Sequence, residues 1–518
     1  LDIFKTLLGI LPKRLEHRIA VILAATLLVH GALYLTVGAT RTTDSLREAE
    51  TDTFTITPTD SGNGGDVYTL TVNDNKDRYM WDLVHDPPEG STTGDVRIEA
   101  VVHDPTLHLK GIELEYGFDG GETRRIAMDH RFTDKNNETV WWVDVPAGEG
   151  SVLSYSIHVT YLPWSTDVYR YHDRTTTVMD GDMLYRDTGW RTEYPPLMTY
   201  ALLPAHLLAQ LIGPEKGFSI YFIAFSIATA LGVYLLFRRW GEDRAFLMGL
   251  VASMYPSMLI APMFSQDDPL IVFVMMLVMY MVLSNRHRLA ALGIGMGITM
   301  KMWTVLLFPG LLGDAARWEE NAAKRVNRTV GLTVVPAAFI LALFWSMAGS
   351  DFLYFLKIYT GFGGFDDPLG SYSIWYTLFG NTSIYSGLKA VLMVIIALGT
   401  LVFFRRFVKG GIHPVRFHMV VLLLFLMFYF KVYNEYYGYL MVVLLPLMVE
   451  DRIALVEMYA IPLLLLLAPL TPASVVVFIL LADILRRVLL CPYRFDNDLG
   501  CCTEDGDFKP LEGVRDLI

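Results

Sequence analysis

Long apolar runs recur along this chain, at 18–38, 217–237, 329–348, 387–404, 414–430 and 473–490. Each approaches the roughly 20 residues that a helix needs to cross a bilayer. Over 518 residues the hydrophobic fraction is 53% and the mean hydropathy +0.38, too apolar for a soluble protein of this length. The expectation is a polytopic α-helical membrane protein with more than one domain. The first run is too long for a cleaved signal, and no small-residue cleavage site closes it.

Basic loops set an expected orientation. Lys13-Arg14 and Arg18 precede the first run; Arg238-Arg239, Arg286-His287-Arg288, Arg317 with Lys324-Arg325 and Arg328, and Arg405-Arg406 with Lys409 punctuate later ones. Placing all of them in the cytoplasm puts both termini inside and residues 39–216 outside. Segment 289–313 is apolar yet basic on both flanks, so it reads as two short helices that enter and return, broken near Lys301. The expected total is about twelve helices.

The expected division of the chain has five parts. Residues 1–40 are a cytoplasmic N-terminus with the first membrane helix, 41–165 an extracytoplasmic domain, and 166–216 an external loop with an interfacial helix. Residues 217–490 form the transmembrane bundle and 491–518 a cytoplasmic tail. Net charge is −12, and residues 41–170 alone hold 24 Asp/Glu against 11 Lys/Arg. So acidic an exterior argues against nucleic acid or anionic lipid as partner of that domain. The three cysteines, Cys491, Cys501 and Cys502, all lie in the tail, so no disulfide framework is expected outside.

Residues 52–163 alternate apolar and polar side chains, as in Val96-Arg-Ile-Glu-Ala-Val-Val102, Ile112-Glu-Leu-Glu-Tyr116 and Val152-Leu-Ser-Tyr-Ser-Ile-His-Val-Thr-Tyr161. Turn signals such as Ser61-Gly-Asn-Gly-Gly65, Asp119-Gly-Gly121 and Ala147-Gly-Glu-Gly150 separate them. Seven or eight short strands at this spacing predict an inserted antiparallel β-sandwich of immunoglobulin-like size. No catalytic arrangement is visible within it.

Chemistry gathers elsewhere. Asp167, Asp180, Asp182, Asp187 and Glu193 precede an apolar stretch from Pro196 to Ile212; Gln266-Asp267-Asp268 and Lys431 with Asn434 and Glu435 sit at the ends of apolar runs. Lys301 interrupts another run at membrane depth. Ionisable groups in such places are expensive and tend to mark function, although a lone lysine can also snorkel to an interface. Asp180 and Asp182 flank a glycine and read as turn formers before ligands, and Tyr194-Pro195-Pro196 reads as a rigid helix entry whatever else it does.

Gln266-Asp-Asp-Pro-Leu, then Arg286-His-Arg-Leu-Ala-Ala-Leu-Gly-Ile-Gly-Met-Gly, Lys301 and Leu307-Phe-Pro-Gly-Leu-Leu312 together resemble the membrane glycosyltransferases of GT-C fold that use polyprenyl-phosphate sugars. The resemblance is strongest to the polyprenyl-phosphate-mannose-dependent mannosyltransferases. That group's Asp and Tyr after the first helix, and its Gly-x-x-x-Tyr-Arg-Asp and Tyr-Pro-Pro-Leu stretches, are matched by Asp167, Tyr169, Gly181, Tyr185-Arg186-Asp187 and Tyr194-Pro195-Pro196-Leu197. Phe430-Lys-Val-Tyr-Asn-Glu-Tyr-Tyr437 resembles a later segment. The likeness covers most of 1–40 and 165–450 in order. It departs where about 125 residues of predicted β-structure separate the first helix from Asp167.

The resemblance implies an inverting transfer of a hexose from a polyprenyl- or dolichyl-phosphate carrier to an acceptor hydroxyl, on the extracytoplasmic side of a cell membrane. The acceptor would be a glycan, a lipid or a protein of the cell envelope. Asp167 would be the general base. Lys301, Lys431 and Arg186 would hold the departing phosphate, which needs cations more than an acid. Asp267 and Asp268 would orient the acceptor or, were a metal used, hold a divalent cation, magnesium or manganese. Tyr169, Asp187, Glu193, Tyr194, Gln266, Asn434 and Glu435 would line the substrate. A secondary transporter or flippase of lipid-linked sugars is the competing reading, but no half-to-half echo of the kind common in transporters is present. A receptor or scaffold built on the sandwich would leave the carboxylates at the bundle mouth unexplained.

Overall fold

The computed structural model describes residues 14–35, 50–55, 80–86, 96–103, 109–118, 122–132, 138–145, 153–161, 167–186, 188, 192, 194–238, 241–263, 265–284, 286–316, 321–353, 372–380, 384–410, 414–430, 432, 437–438, 451–468 and 470–490. The chain divides into two compact units. One comprises Leu1–Gly38, Tyr171–Phe355 and Asp367–Ile518, the other Ala39–Arg170 and Leu356–Asp366.

The second unit carries eight strands: β1 Glu50–Thr55, β2 Met80–Asp86, β3 Val96–His103, β4 Leu109–Phe118, β5 Arg124–Ala127, β6 Asp129–Phe132, β7 Glu138–Val145 and β8 Leu153–Tyr161. They form two four-stranded antiparallel sheets, ordered β1-β8-β4-β5 and β2-β3-β7-β6. On β4, Ile112, Leu114 and Tyr116 are buried, while the alternate Glu113 and Glu115 meet Arg125 on the outer face at 3.7 and 2.9 Å. That is the period of an antiparallel sheet with one packed face. Only Met128 separates β5 from β6, so the chain passes from one sheet to the other at this buried residue, whose N–H donates to Ile112 O at 2.9 Å. Strands β2 and β6 were not anticipated, being short or rich in charge; the strand expected at 67–72 lies outside the described residues.

The first unit is helical, and its order follows the apolar runs: α1 Leu15–Leu33, α2 Asp167–Asp180 (whose first four residues fall in the other unit), α3 Pro196–Ile212, α4 Pro214–Phe237, α5 Glu242–Ser253, α6 Pro256–Met263 and α7 Asp268–Leu283. Then come α8 His287–Ile298, a 3-10 segment Met302–Leu307, α9 Phe308–Ala316, α10 Ala322–Ala348, α11 Ile374–Phe379, α12 Ile384–Gly410, α13 Pro414–Phe428, α14 Arg452–Leu467 and α15 Leu470–Leu490. Among the described residues, five stretches are long and apolar enough to cross a membrane: Leu15–Leu33, Pro214–Phe237, Ala245–Met263, Ala322–Leu353 and Gly387–Arg405. Shorter apolar helices accompany them. On α10 the large side chains Val335 and Phe339 are 65% and 68% exposed, as expected of a face turned to lipid. The protein is a polytopic helical membrane protein.

Prolines and glycines set the helix ends. Pro196 and Pro214 occupy first turns, where the missing N–H is harmless, and Gly213 separates α3 from α4 at φ +94°, a conformation costly to other residues. Segment 289–313 is interrupted, as its flanks implied: α8 ends at Ile298, and Lys301 is extended (φ −153°, ψ 128°) before the 3-10 segment. Helices α8 and α10 approach so closely that a Cβ on Gly295 would overlap the backbone carbonyl of Thr333. Small residues serve this purpose throughout membrane bundles.

At the end of the chain's helical part, Arg487 on α15 holds Asp451, the N-cap of α14, at 2.9 Å, and Asp483 at 2.5 Å. Burial acts to raise the Asp451 carboxyl, but the Arg487 hydrogen bond and the N–H groups of Ala454 and Ile453 outweigh it and leave the group below its ordinary value.

Two outcomes follow. Gly295→Ala forces two helix backbones apart and is expected to destabilise by about 1–3 kcal/mol. Gly331→Ala, on α10 with open space around its Cβ, leaves the melting temperature unchanged or raises it, since alanine favours helix by about 1 kcal/mol. Thermal unfolding of the two variants in detergent checks this. Because the Asp451 carboxyl titrates lower folded than unfolded, its contribution is complete above the unfolded value of about 3.9. It is lost as the pH falls through the lower folded value. Arg487→Gln should therefore flatten the acid limb of the stability profile.

Candidate functional site

The triad at the centre of the helical unit is built from two chain breaks. The first lies between α6 and α7. Ser265 adopts a left-handed conformation (φ +53°), its hydroxyl bonds that of Ser219 on α4 at 2.8 Å, and Gln266 N–H donates to Ala261 O at 2.9 Å. This fixes Asp267 at the N-cap of α7 and Asp268 in its first turn, where the helix dipole favours negative charge. The second break follows α8. The N–H groups of Met300 and Lys301 both turn back to Gly297 O, at 3.0 and 2.9 Å, and Gly297 is needed because a side chain there would strike Thr304.

The two breaks meet. Lys301 Nζ donates to Asp267 Oδ1 at 2.8 Å and to Asp268 Oδ1 at 2.9 Å. The three side chains are 6%, 2% and 4% exposed. One ammonium is thus shared by two carboxylates. Desolvating each ion costs several kcal/mol, so such a group persists only when its members satisfy one another. These distances are those of charge-assisted hydrogen bonds.

A third element is tied to the same place. Leu197 N–H, in the first turn of α3, donates to Thr299 O at 2.9 Å, bringing Tyr194-Pro195-Pro196 against the break before Lys301. Two cations approach the Tyr194 ring, Lys301 Nζ at 5.8 Å and the Arg174 guanidinium at 5.1 Å from its centre. Tyr185 adopts φ +84° and donates its hydroxyl to Tyr194 O at 2.8 Å. A bulky residue held in that region is strained, and such strain clusters at functional sites. Trp303 of the 3-10 segment packs edge-on to Phe425 and Tyr429 near the end of α13.

Of the residues expected from the sequence, Asp267, Asp268, Lys301 and Tyr194 are gathered here, with Gln266 in the turn that carries the aspartates. Arg186 is exposed in the turn after α2. Asp167 opens α2 in the other unit, 3.6 Å from Arg170, and Tyr169 follows it on the same helix. Asp187, Glu193, Lys431, Asn434 and Glu435 lie outside the described residues. Lys301 Nζ stands within hydrogen-bond distance of both carboxylates, and among the described residues no group of three side chains suited to a metal gathers there, so no step is routed through one.

Arg174 was missed. It is 2% exposed, and the helical period that turns Tyr171 and Thr175 inward turns it inward too. A cation on the buried face of an amphipathic helix was the available signal.

Residues 192–430 match the family model of Glycosyltransferase family 87. No curated protein matches the chain. The matched stretch contains the buried cluster of Asp267, Asp268 and Lys301 and the half-buried Tyr194 beside it, and begins after α2. It supports a membrane glycosyltransferase.

Removing the ammonium alone leaves two buried carboxylates without their cation. Lys301→Met is expected to destabilise by about 3–5 kcal/mol. Combining it with Asp267→Asn and Asp268→Asn should recover much of that loss. Melting temperatures of the single and triple variants in detergent decide it; equal losses would mean the three residues do not act as one charged unit.

Proposed function

We propose that the protein transfers a hexose, mannose first among the candidates, from a polyprenyl- or dolichyl-phosphate carrier to an acceptor hydroxyl on the extracytoplasmic side of the membrane. The observation that carries this reading is the buried Lys301–Asp267–Asp268 cluster inside the stretch that matches a glycosyltransferase family. A charged cluster retained in an apolar bundle is costly without a use. A carrier with an isoprenoid chain reaches such a place through the lipid.

The reaction breaks the bond between the anomeric carbon and the phosphate oxygen and forms one to the acceptor oxygen. The bonding pair leaves with the carrier phosphate, and the acceptor proton passes to a carboxylate. One displacement of this kind inverts the anomeric configuration. Lys301, with Arg186 and Lys431, supplies positive charge toward the phosphate; cations placed where negative charge develops lower such barriers. Asp267 and Asp268 fix the Lys301 ammonium and offer acceptor oxygens to sugar hydroxyls. Asp167 is assigned as the general base on its place in the sequence, and Tyr194 offers an aromatic face to the sugar.

The test is transfer of label from polyprenyl-phosphate-mannose, polyprenyl-phosphate-glucose and nucleotide sugars by purified protein in liposomes. Transfer is expected from a polyprenyl-phosphate hexose only. Asp167→Asn should lower kcat by about 10²–10⁴-fold with the melting temperature unchanged. Use of a nucleotide sugar would overturn the donor assignment, and undiminished transfer by Asp167→Asn would overturn that of the base.

A further inference from the structure

Helix α8 has charge at both ends. Lys301 follows its C-terminus; at its N-terminus, a helix length of about 18 Å away, lies a second charged feature that the transfer reaction does not use. A cavity of about 410 Å³ opens there between α8, α9 and α10. Arg286, His287 and Arg288 line it from α8, Asp314 from α9, and Arg325 and Arg328 from α10. Among the described residues, four arginines and one carboxylate line the cavity, and His287 Nδ1 stands 3.3 Å from that carboxylate. Arginine stays charged at any physiological pH, and its planar fork matches phosphate oxygens two at a time. The first amides of α8, twelve residues long, add their own positive potential.

The rest of the lining points to a lipid. Leu289, 45% exposed, Ala315 and Leu332 add apolar surface, and Thr329 is the remaining lining residue. Arg325, Arg328 and Leu332 share one face of α10, at the i, i+3, i+7 spacing, and the same helix continues with Val334, Val335 and Phe339 exposed at 49%, 65% and 68%. A ring of arginines at the end of a lipid-facing helix offers a headgroup site with acyl chains running along the apolar surface below it.

We propose that this cavity binds the phosphodiester headgroup of an anionic phospholipid. Basic pockets between membrane helices recognise such headgroups, each arginine near the membrane surface contributing about 1 kcal/mol. The site stands apart from the buried Lys301 cluster and does not depend on the proposed transfer reaction.

Native mass spectrometry of the full-length chain, delipidated and then supplied with phosphatidylglycerol or phosphatidylcholine, tests it. The protein is expected to retain phosphatidylglycerol in preference. Arg325→Gln with Arg328→Gln should weaken that retention roughly tenfold or more, while Arg405→Gln, an exposed arginine on α12 outside the cavity, should not. Should the double variant not purify as a monodisperse protein, Arg288→Gln alone carries the test, with about a fivefold loss expected. Full retention by the cavity variants overturns the proposal. So does displacement of phosphatidylglycerol by equimolar inorganic phosphate, which would make the cavity a site for a soluble anion.

Discussion

A lysine taken out of water within a helical bundle has to be met by negative charge, and most of what is distinctive in the helical unit follows from how that is done here. Asp267 and Asp268 are adjacent in sequence, yet both reach Lys301 Nζ, at 2.8 and 2.9 Å. Consecutive residues within a regular helix point in directions about 100° apart, so they converge on one atom more readily where the helix begins. The left-handed Ser265 and the cap position of Asp267 supply that irregular start. Lys301 is likewise outside regular helix, in the extended break between α8 and the 3-10 segment. Irregular backbone at membrane depth is tolerated where it is buried in protein, and two such breaks placed together are a large departure from the simplest bundle.

A second cation, Arg174, is held close to the cluster. The Tyr194 ring provides the link: Lys301 and Arg174 approach it at 5.8 and 5.1 Å. The quadrupole of an aromatic ring attracts cations at such distances. The hydrogen bond from Leu197 to Thr299 ties this tyrosine to the lysine break through the backbone, and the Tyr185 hydroxyl fixes its carbonyl. The polar stretch before α3 is therefore part of the cluster's architecture as well as a candidate substrate surface.

Much of this was legible in the sequence. The apolar runs, the break near Lys301, the helix from Pro196 to Ile212 and the strand alternation on β4 and β8 each rest on local periodicity or on proline and glycine, whose effects are strong and short-ranged. What was not legible depended on tertiary placement. The pairing of Lys301 with Asp267 and Asp268 spans more than thirty residues, and the sequence supported a phosphate-facing lysine and a metal-holding aspartate pair as separate ideas. Only their convergence makes them one charged unit. Arg174 was hidden because a polar run read as an acidic cluster contains an amphipathic helix, and its inward face is decided by the helical period. Strand β2 was missed because Met80–Asp86 carries charge at both its middle and its end, which weakens alternation.

The matched stretch starts at residue 192, so it encloses the Tyr-Pro-Pro entry, both aspartates, the lysine and the arginine-lined cavity, and leaves out α2 and the two sheets. Within it the ion cluster cannot be separated from the backbone that positions it. The turn at Ser265 sets the two aspartates and the turn at Gly297 sets the lysine, so a change at either turn moves a buried charge away from its partner. A buried charge that loses its partner is strongly destabilising, which couples the placement of charge to the stability of the helical unit.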